Sequence, residues 1–131
     1  MSMALHDKKQ RPYVPLWKSF SFAIAGIQNA ILNERNIRIH LFISALVIFF
    51  SISFSITKVE WLFVLIAIGG MISLELINTA IERLVDLVTL EFHPLAKQAK
   101  DLAAGAVFIY AIFSVIVGII IFAPKLYKAF F

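Results

Sequence analysis

Uncharged stretches long enough to cross a bilayer dominate the pattern of polar and apolar positions from Leu41 onward. Seventeen residues without a charge run from Leu41 to Thr57, and twenty-two run from Leu102 to Ala123. Between them, 61–74 is apolar and reaches spanning length only if the helix continues through Glu75 to Ile81. Because about 20 apolar residues of helix cross the hydrocarbon, the pattern predicts spans at about 39–57, 60–86 and 94–123. Gly69 and Gly70 lie inside the second span, where we expect close helix packing.

A different periodicity precedes these spans. Apolar residues recur at helical spacing on one face, and polar residues occupy the other. The apolar set is Leu16, Phe20, Ala23, Ile24, Ile27, Ala30 and Ile31, and the polar set is Lys18, Ser19, Ser21, Gln28 and Asn29. This predicts an amphipathic helix at about 16–35 lying in the membrane interface, with packing on the chain's own bundle as the alternative. Residues 1–15 are polar with two prolines and are predicted to form a loose arm before a single membrane domain, 16–131.

Composition narrows the class of protein. Of the 131 residues, 61% are hydrophobic and 15% are charged, which an ordinary soluble domain of this size could not bury. The fold class predicted is therefore all-α and integral to a membrane. Cysteine is absent, so thiolate chemistry and disulfides are excluded. The net charge of +4 is not arranged as a basic stripe with exposed aromatics, so no nucleic-acid partner is expected.

The basic residues orient the chain. Nine of the twelve lie within 1–40 or 82–101, and three lie on the opposite side. The first group is Lys8, Lys9, Arg11, Lys18, Arg35, Arg38, Arg83, Lys97 and Lys100, and the second is Lys58, Lys125 and Lys128. The positive-inside rule then predicts a multi-pass protein of the cytoplasmic membrane with its N-terminus in the cytoplasm.

A polar stripe on the second span is not explained by membrane insertion. On a helical wheel, Glu75, Asn78, Thr79, Glu82 and Asp86 fall within about 100° of one another. Three carboxylates cannot face lipid, and they repel one another unless cations or protons neutralise them. A polar seam between packed helices is one interpretation. A site for a divalent cation such as Mg²⁺ is the other, because Mg²⁺ prefers oxygen ligands.

Two further polar clusters lie on the same predicted membrane face. His93-Pro94 opens a helix that carries Lys97, Lys100 and Asp101, and Glu34 lies just before the first span. Individually, Lys100 is compatible with a snorkelling lysine and Glu34 with a surface residue. Together with the stripe they suit binding of Mg²⁺ and phosphate, although no P-loop, dinucleotide fingerprint or kinase catalytic loop is present.

The residues in these clusters resemble those of the bacterial diacylglycerol kinase/undecaprenol kinase family. The motifs are Glu75-Leu-Ile-Asn-Thr-Ala-Ile-Glu-Arg-Leu-Val-Asp86, His93-Pro-Leu-Ala-Lys-Gln-Ala-Lys-Asp-Leu-Ala-Ala-Gly-Ala-Val107 and Asn33-Glu-Arg-Asn36. The resemblance covers about 16–125. It implies a homotrimeric membrane kinase, with a surface helix and three spans per subunit. Its active sites lie between subunits at the cytoplasmic face, and it takes ATP from the cytoplasm and a lipid alcohol from the bilayer.

The resemblance also implies roles for individual residues. Glu75 matches the general base, and Asn78 the amide that supports it. Glu34 and Glu82 match the carboxylates that hold Mg²⁺ on ATP. The positions matching nucleotide contacts are Phe22, Glu34, Glu82, Glu91, Phe92, His93, Lys100 and Asp101.

Three positions depart from parts of the family. Phe22 stands where a tyrosine is frequent, Pro15 where some members carry an arginine, and Ala104 where the diacylglycerol branch has a serine. The forms of the first and second motifs look most like the undecaprenol kinase branch, so the predicted reaction converts undecaprenol to undecaprenyl phosphate. Phosphorylation of diacylglycerol is the alternative. A small ion-coupled transporter is an alternative from a different class, because it would also carry a glutamate inside the membrane.

Overall fold

The computed structural model describes residues 12–131 and contains four helices in this part of the chain. They are α1 (Leu16–Asn33), α2 (Arg35–Ser53), α3 (Lys58–Val88) and α4 (Pro94–Phe130). The last three are long and apolar enough to cross a membrane. The all-α prediction is confirmed. Of the predicted arm, 1–11 lies outside the described residues, and Pro12–Pro15 precede the first helix without regular structure.

Local sequence explains where each long helix begins. The Thr57 side chain accepts a hydrogen bond from the Glu60 amide, and the Glu60 carboxylate accepts one from the Thr57 amide, which is a capping box. His93 caps α4 by accepting from the Leu95 amide at 3.1 Å through Nδ1, and Pro94 occupies the first turn, where its missing N–H costs nothing.

The helix ends differ from the predicted span boundaries. α2 ends at Ser53 rather than near 57, because Ser55 adopts a left-handed φ of 49° and Thr57 already caps α3. α4 continues through Pro124 to Phe130. At about 1.5 Å per residue, α3 and α4 are about 46 and 56 Å long, more than about 30 Å of hydrocarbon. Both helices are therefore longer than the apolar layer is thick.

A single extended residue separates α1 from α2. Glu34 has φ −107° and ψ 119°, so it ends one helix and begins the next. The Arg38 guanidinium donates to the carbonyls of Ile31 and Leu32 at 3.1 and 2.9 Å, which satisfies two of the last carbonyls of α1. Ala30 is the one buried residue of α1. The apolar side chains nearer its start are exposed, so most of α1 does not pack on its own bundle.

The turn between α2 and α3 packs against α4 at one end of the bundle. Ile56, Val64 and Ile121 form a buried apolar cluster there. The Lys125 ammonium donates to the Glu60 carboxylate at 3.0 Å, with both side chains 26% exposed. This ion pair joins the end of α4 to the start of α3, at the end opposite Glu34.

Close packing of α3 on α4 is confirmed at Gly70 but not at Gly69. A Cβ at Gly70 would overlap the hydroxyl and Cζ of Tyr110, whereas one at Gly69 would meet nothing within 4 Å. The Tyr110 hydroxyl donates to the Ile66 carbonyl at 2.6 Å. The ring of Tyr110 therefore lies against α3 at Gly70, where a side chain is missing.

We expect Gly70→Ala to lower the free energy of unfolding by about 1–3 kcal/mol, because Tyr110 must leave its position or α3 and α4 must separate. Gly69→Ala is the matched control. It should leave stability unchanged or raise it slightly, since alanine favours helix. Thermal unfolding of both variants in detergent, followed by circular dichroism, measures the difference. Equal losses in the two variants would contradict the packing described.

Candidate active site

Burial decreases step by step along one face of α3. Glu75, Asn78 and Thr79 are 3%, 7% and 7% exposed, Glu82 is half-buried and Asp86 is exposed. Glu75 and Asp86 are eleven positions apart in sequence, which corresponds to about 16 Å along the helix. The polar stripe is thus a column that begins inside the bundle and ends in the open, and we call these five residues the polar column.

Glu75 is the most deeply placed carboxylate. Residues 12–131 form four ion pairs, and neither Glu75 nor Glu82 takes part in any of them. Burying a carboxylate without a cation is costly. A group kept in such a position inside a membrane protein is a candidate for chemistry rather than for packing.

Asn78 connects the buried and half-buried parts of the polar column. Its Nδ2 donates to Glu82 Oε1 at 3.3 Å, one turn further along α3. Its Oδ1 is buried and has no hydrogen-bond partner. Such orphaned acceptors are rare in native structures. This oxygen is therefore available to a ligand that approaches between Glu75 and Glu82.

Arg83 brings Glu34 to the same end of the bundle. Its guanidinium donates to Glu34 Oε1 and to Asn29 Oδ1, each at 2.7 Å. Both contacts join residues about fifty positions apart, so they connect α1 and the α1–α2 junction to α3. In the sequence, Arg83 is recognisable only as one of the basic residues that orient the chain. No local spacing relates Arg83 to Glu34, so the sequence pattern does not predict their contact.

The start of α4 faces the outer end of the polar column. The Lys100 ammonium donates to Asp86 Oδ1 at 2.6 Å. Lys97 pairs with Asp101 one turn further along the helix. The two residues of the predicted nucleotide pair therefore belong to different ion pairs: Lys100 contacts α3, and Asp101 contacts Lys97 within α4.

The remaining predicted nucleotide residues are exposed. Glu91, Phe92 and His93 form the loop between α3 and α4, and His93 also caps α4. Phe22 lies exposed on α1, about two turns before Asn29. Pro15 precedes the first turn of α1, and Ala104 is exposed on α4. Within one chain, these residues do not close a pocket around the polar column.

The donor set fits Mg²⁺ only in part. In the described part of the chain, no three His, Asp or Glu side chains are close enough to hold a metal by themselves. Mg²⁺ is commonly held by one or two carboxylates together with phosphates and water. Glu34, Glu82 and the orphaned Asn78 oxygen supply hard ligands of that kind, so the residues suit a metal that arrives with a phosphate ligand.

An apolar cavity adjoins the buried end of the polar column. It has a volume of about 350 Å³ and lies between α2, α3 and α4. Met71, one turn before Glu75, lines it together with Val64, Ile68 and His40. The Ser114 hydroxyl on α4 also lines it and has no partner. Apolar space therefore reaches to within one helical turn of Glu75.

The chain combines three apolar helices of spanning length with carboxylates and an amide toward one end of the bundle. This combination indicates a small membrane enzyme rather than a protein that only packs against other subunits. Residues 21–122 match the family described as prokaryotic diacylglycerol kinase. The chain belongs to that family, and the suspected resemblance is confirmed.

The chain is also similar over most of its length to individual relatives. It is 47% identical over 110 residues to the undecaprenol kinase of Bacillus subtilis (strain 168), and the matched residues cover 84% of this chain and 89% of that relative. It is 41% identical over 109 residues to a diacylglycerol kinase of Synechocystis sp., and the matched residues cover 82% of this chain and 62% of that relative. Identity to the diacylglycerol kinase of Haemophilus influenzae is 31% over 94 residues, and the matched residues cover 72% of this chain and 80% of that relative.

The contact between Asp86 and Lys100 makes a prediction about stability. A double-mutant cycle of Asp86→Asn and Lys100→Met, read by unfolding in detergent, should give a coupling energy between about 0.2 and 1 kcal/mol, because both groups are partly exposed to solvent. The pair Lys97 and Asp101, which forms an ion pair within α4, serves as the comparison within one helix. A coupling of zero for Asp86 and Lys100 would contradict the contact between α3 and α4.

Proposed function

We propose that the chain transfers the γ-phosphate of ATP to the hydroxyl of a membrane lipid, with undecaprenol as the acceptor and undecaprenyl phosphate as the product. The observation that carries this proposal is the polar column, because its graded burial joins a water-exposed end to a carboxylate inside the bundle. A water-soluble donor and a membrane-dissolved alcohol can meet only at such a boundary.

The catalytic role proposed for each residue follows from how deeply its side chain is buried in the bundle. The lipid hydroxyl approaches Glu75 from the bilayer side, where the apolar cavity ends, and Glu75 accepts its proton. The lipid oxygen forms a bond to the γ-phosphorus as the bond between that phosphorus and the ADP oxygen breaks. Asn78 orients Glu82 and offers its free oxygen to the reacting groups. Little covalent chemistry is required, since phosphoryl transfer depends mainly on positioning and charge neutralisation.

Mg²⁺ is the cofactor that we propose. Glu34 and Glu82 would hold it, and when bound it offsets the negative charge of the ATP phosphates. Lys100 is the nearest lysine to the outer end of the polar column and is released to phosphate if its ion pair with Asp86 opens. Asp101 and the loop residues Glu91, Phe92 and His93 then lie beside the nucleotide, as the family resemblance implies.

The assembly and orientation that we propose complete the site. We propose the homotrimer, with its sites between subunits, from the family resemblance, and the exposed position of Phe22 leaves its ring free to contact a neighbouring subunit. The exposed apolar side of α1 supports its placement in the interface. The excess of basic residues at the polar end supports a cytoplasmic position for the N-terminus and the site. ATP would then enter from the cytoplasm.

The choice of acceptor lipid is based on the similarity to relatives of named activity. The undecaprenol kinase of Bacillus subtilis shares 47% identity, whereas the relatives named diacylglycerol kinase quoted above share 41% and 31%. Diacylglycerol is therefore the second candidate. An ion-coupled transporter is disfavoured, because no charged residue lies between Glu60 and Glu75 on α3 and the cavity beyond Glu75 is lined mainly by apolar side chains.

Transfer of radioactive phosphate from ATP in mixed micelles tests the proposal. We expect labelled product with undecaprenol, less with diacylglycerol and none without acceptor. Glu82→Gln should lose transfer, whereas Glu60→Gln, which removes the same charge at the opposite end of the bundle, should keep it. No transfer to either lipid would refute the kinase, and a preference for diacylglycerol would refute undecaprenol as the acceptor.

A further inference from the structure

We propose that Arg83 is a positioning residue that presents the Glu34 carboxylate to the divalent cation on the nucleotide. This inference rests on the proposed function, because it assigns Glu34 a metal to hold. Arg83 itself does not touch the substrates in this account. It acts by fixing which way one carboxylate points.

The geometry of the guanidinium carries the inference. Its two terminal nitrogens reach two different residues, Asn29 on α1 and Glu34 at the α1–α2 junction, both at 2.7 Å. A planar guanidinium offers its donors in a fixed fork, so holding one partner sets the direction toward the other. Arg83 immediately follows Glu82 on α3. The clamp therefore fixes the position of one proposed metal ligand relative to the other.

Only one oxygen of Glu34 is used by this contact. Arg83 binds Oε1, which leaves Oε2 to face a metal. Hydrogen bonds to a ligating carboxylate orient it, and loss of such a partner commonly weakens metal binding by about 10- to 100-fold. The Glu34 side chain is 30% exposed and the Arg83 side chain 50%, so a ligand from solvent can reach this pair.

The Glu34 side chain also has an alternative orientation, in which it would cap α2. A contact is therefore needed to keep it pointing toward the metal site. It is the N-cap residue of α2, yet its side chain accepts no hydrogen bond from that helix. Carboxylates at this position ordinarily turn to the free N–H groups of the first turn, where the helix dipole also favours them. Without Arg83, we expect Glu34 to cap α2 and to turn away from Glu82.

Arg35 provides a matched control. It is adjacent to Glu34 in sequence and is exposed, and none of the ion pairs within residues 12–131 includes it. Arg35→Met therefore removes the same charge near the same carboxylate without removing the clamp. Arg83→Met keeps an apolar stem similar to that of arginine while removing its donors, and Arg83→Lys restores the charge and a single donor point.

The probe is Mn²⁺, measured by electron paramagnetic resonance on the full chain in detergent with a non-hydrolysable ATP analogue. Arg83→Met should weaken Mn²⁺ binding by about tenfold or more, and Arg35→Met by less than about twofold. Arg83→Lys should recover part of the loss. In transfer assays, Arg83→Met should raise the Mg²⁺ concentration for half-maximal rate, while the rate at saturating Mg²⁺ stays within about threefold of the parent.

Unchanged or tighter Mn²⁺ binding by Arg83→Met would overturn the inference while leaving the kinase intact, provided that the parent protein transfers phosphate. A parent protein that transfers no phosphate to lipid would instead overturn the proposed function. If Arg83→Met does not fold, Arg83→Lys and Arg35→Lys are compared. Weaker Mn²⁺ binding by Arg83→Lys alone supports the clamp, and equal binding by both variants overturns it.

Discussion

A carboxylate buried in a membrane helix without a cation is the constraint on which the rest of this structure depends. Glu75 is 3% exposed and forms none of the ion pairs in the described chain. Hydrocarbon cannot solvate it, so α3 must turn this face toward protein. The neighbouring Asn78 and Thr79 are buried with it, and charge appears only where α3 approaches solvent. The same face thus sets both the packing of α3 and the location of the site.

Ion pairs at both ends hold the remaining helices around that face. Glu60 and Lys125 join α3 to α4 at one end, where Thr57 also fixes the start of α3. At the other end, Asp86 and Lys100 repeat the connection, and Arg83 adds α1 and the α1–α2 junction. Between these ends, Gly70 lets Tyr110 cross α3 closely. The polar end consequently receives side chains from three separate parts of the chain.

Hydropathy and helical periodicity predicted much of this. The three long helices, the helix that precedes them and the column from Glu75 to Asp86 each depend on local spacing, which sequence records directly. The break at Glu34 and the early end of α2 depend on single backbone conformations at Glu34 and Ser55. The partners of Arg83 and Lys100 depend on tertiary contacts across many residues, for which no spacing rule exists. Association into trimers stays a prediction from the family resemblance.

The turnover of Glu75→Gln tests the central claim most directly, because this change removes the buried base while keeping its shape. Phosphate transfer to undecaprenol should fall by about 100-fold or more, whereas binding of the ATP analogue should stay within about twofold of the parent protein. Glu60→Gln, which removes one carboxylate at the opposite end of the bundle, gives the comparison for loss of a carboxylate outside the site. Near-normal transfer by Glu75→Gln would contradict the account.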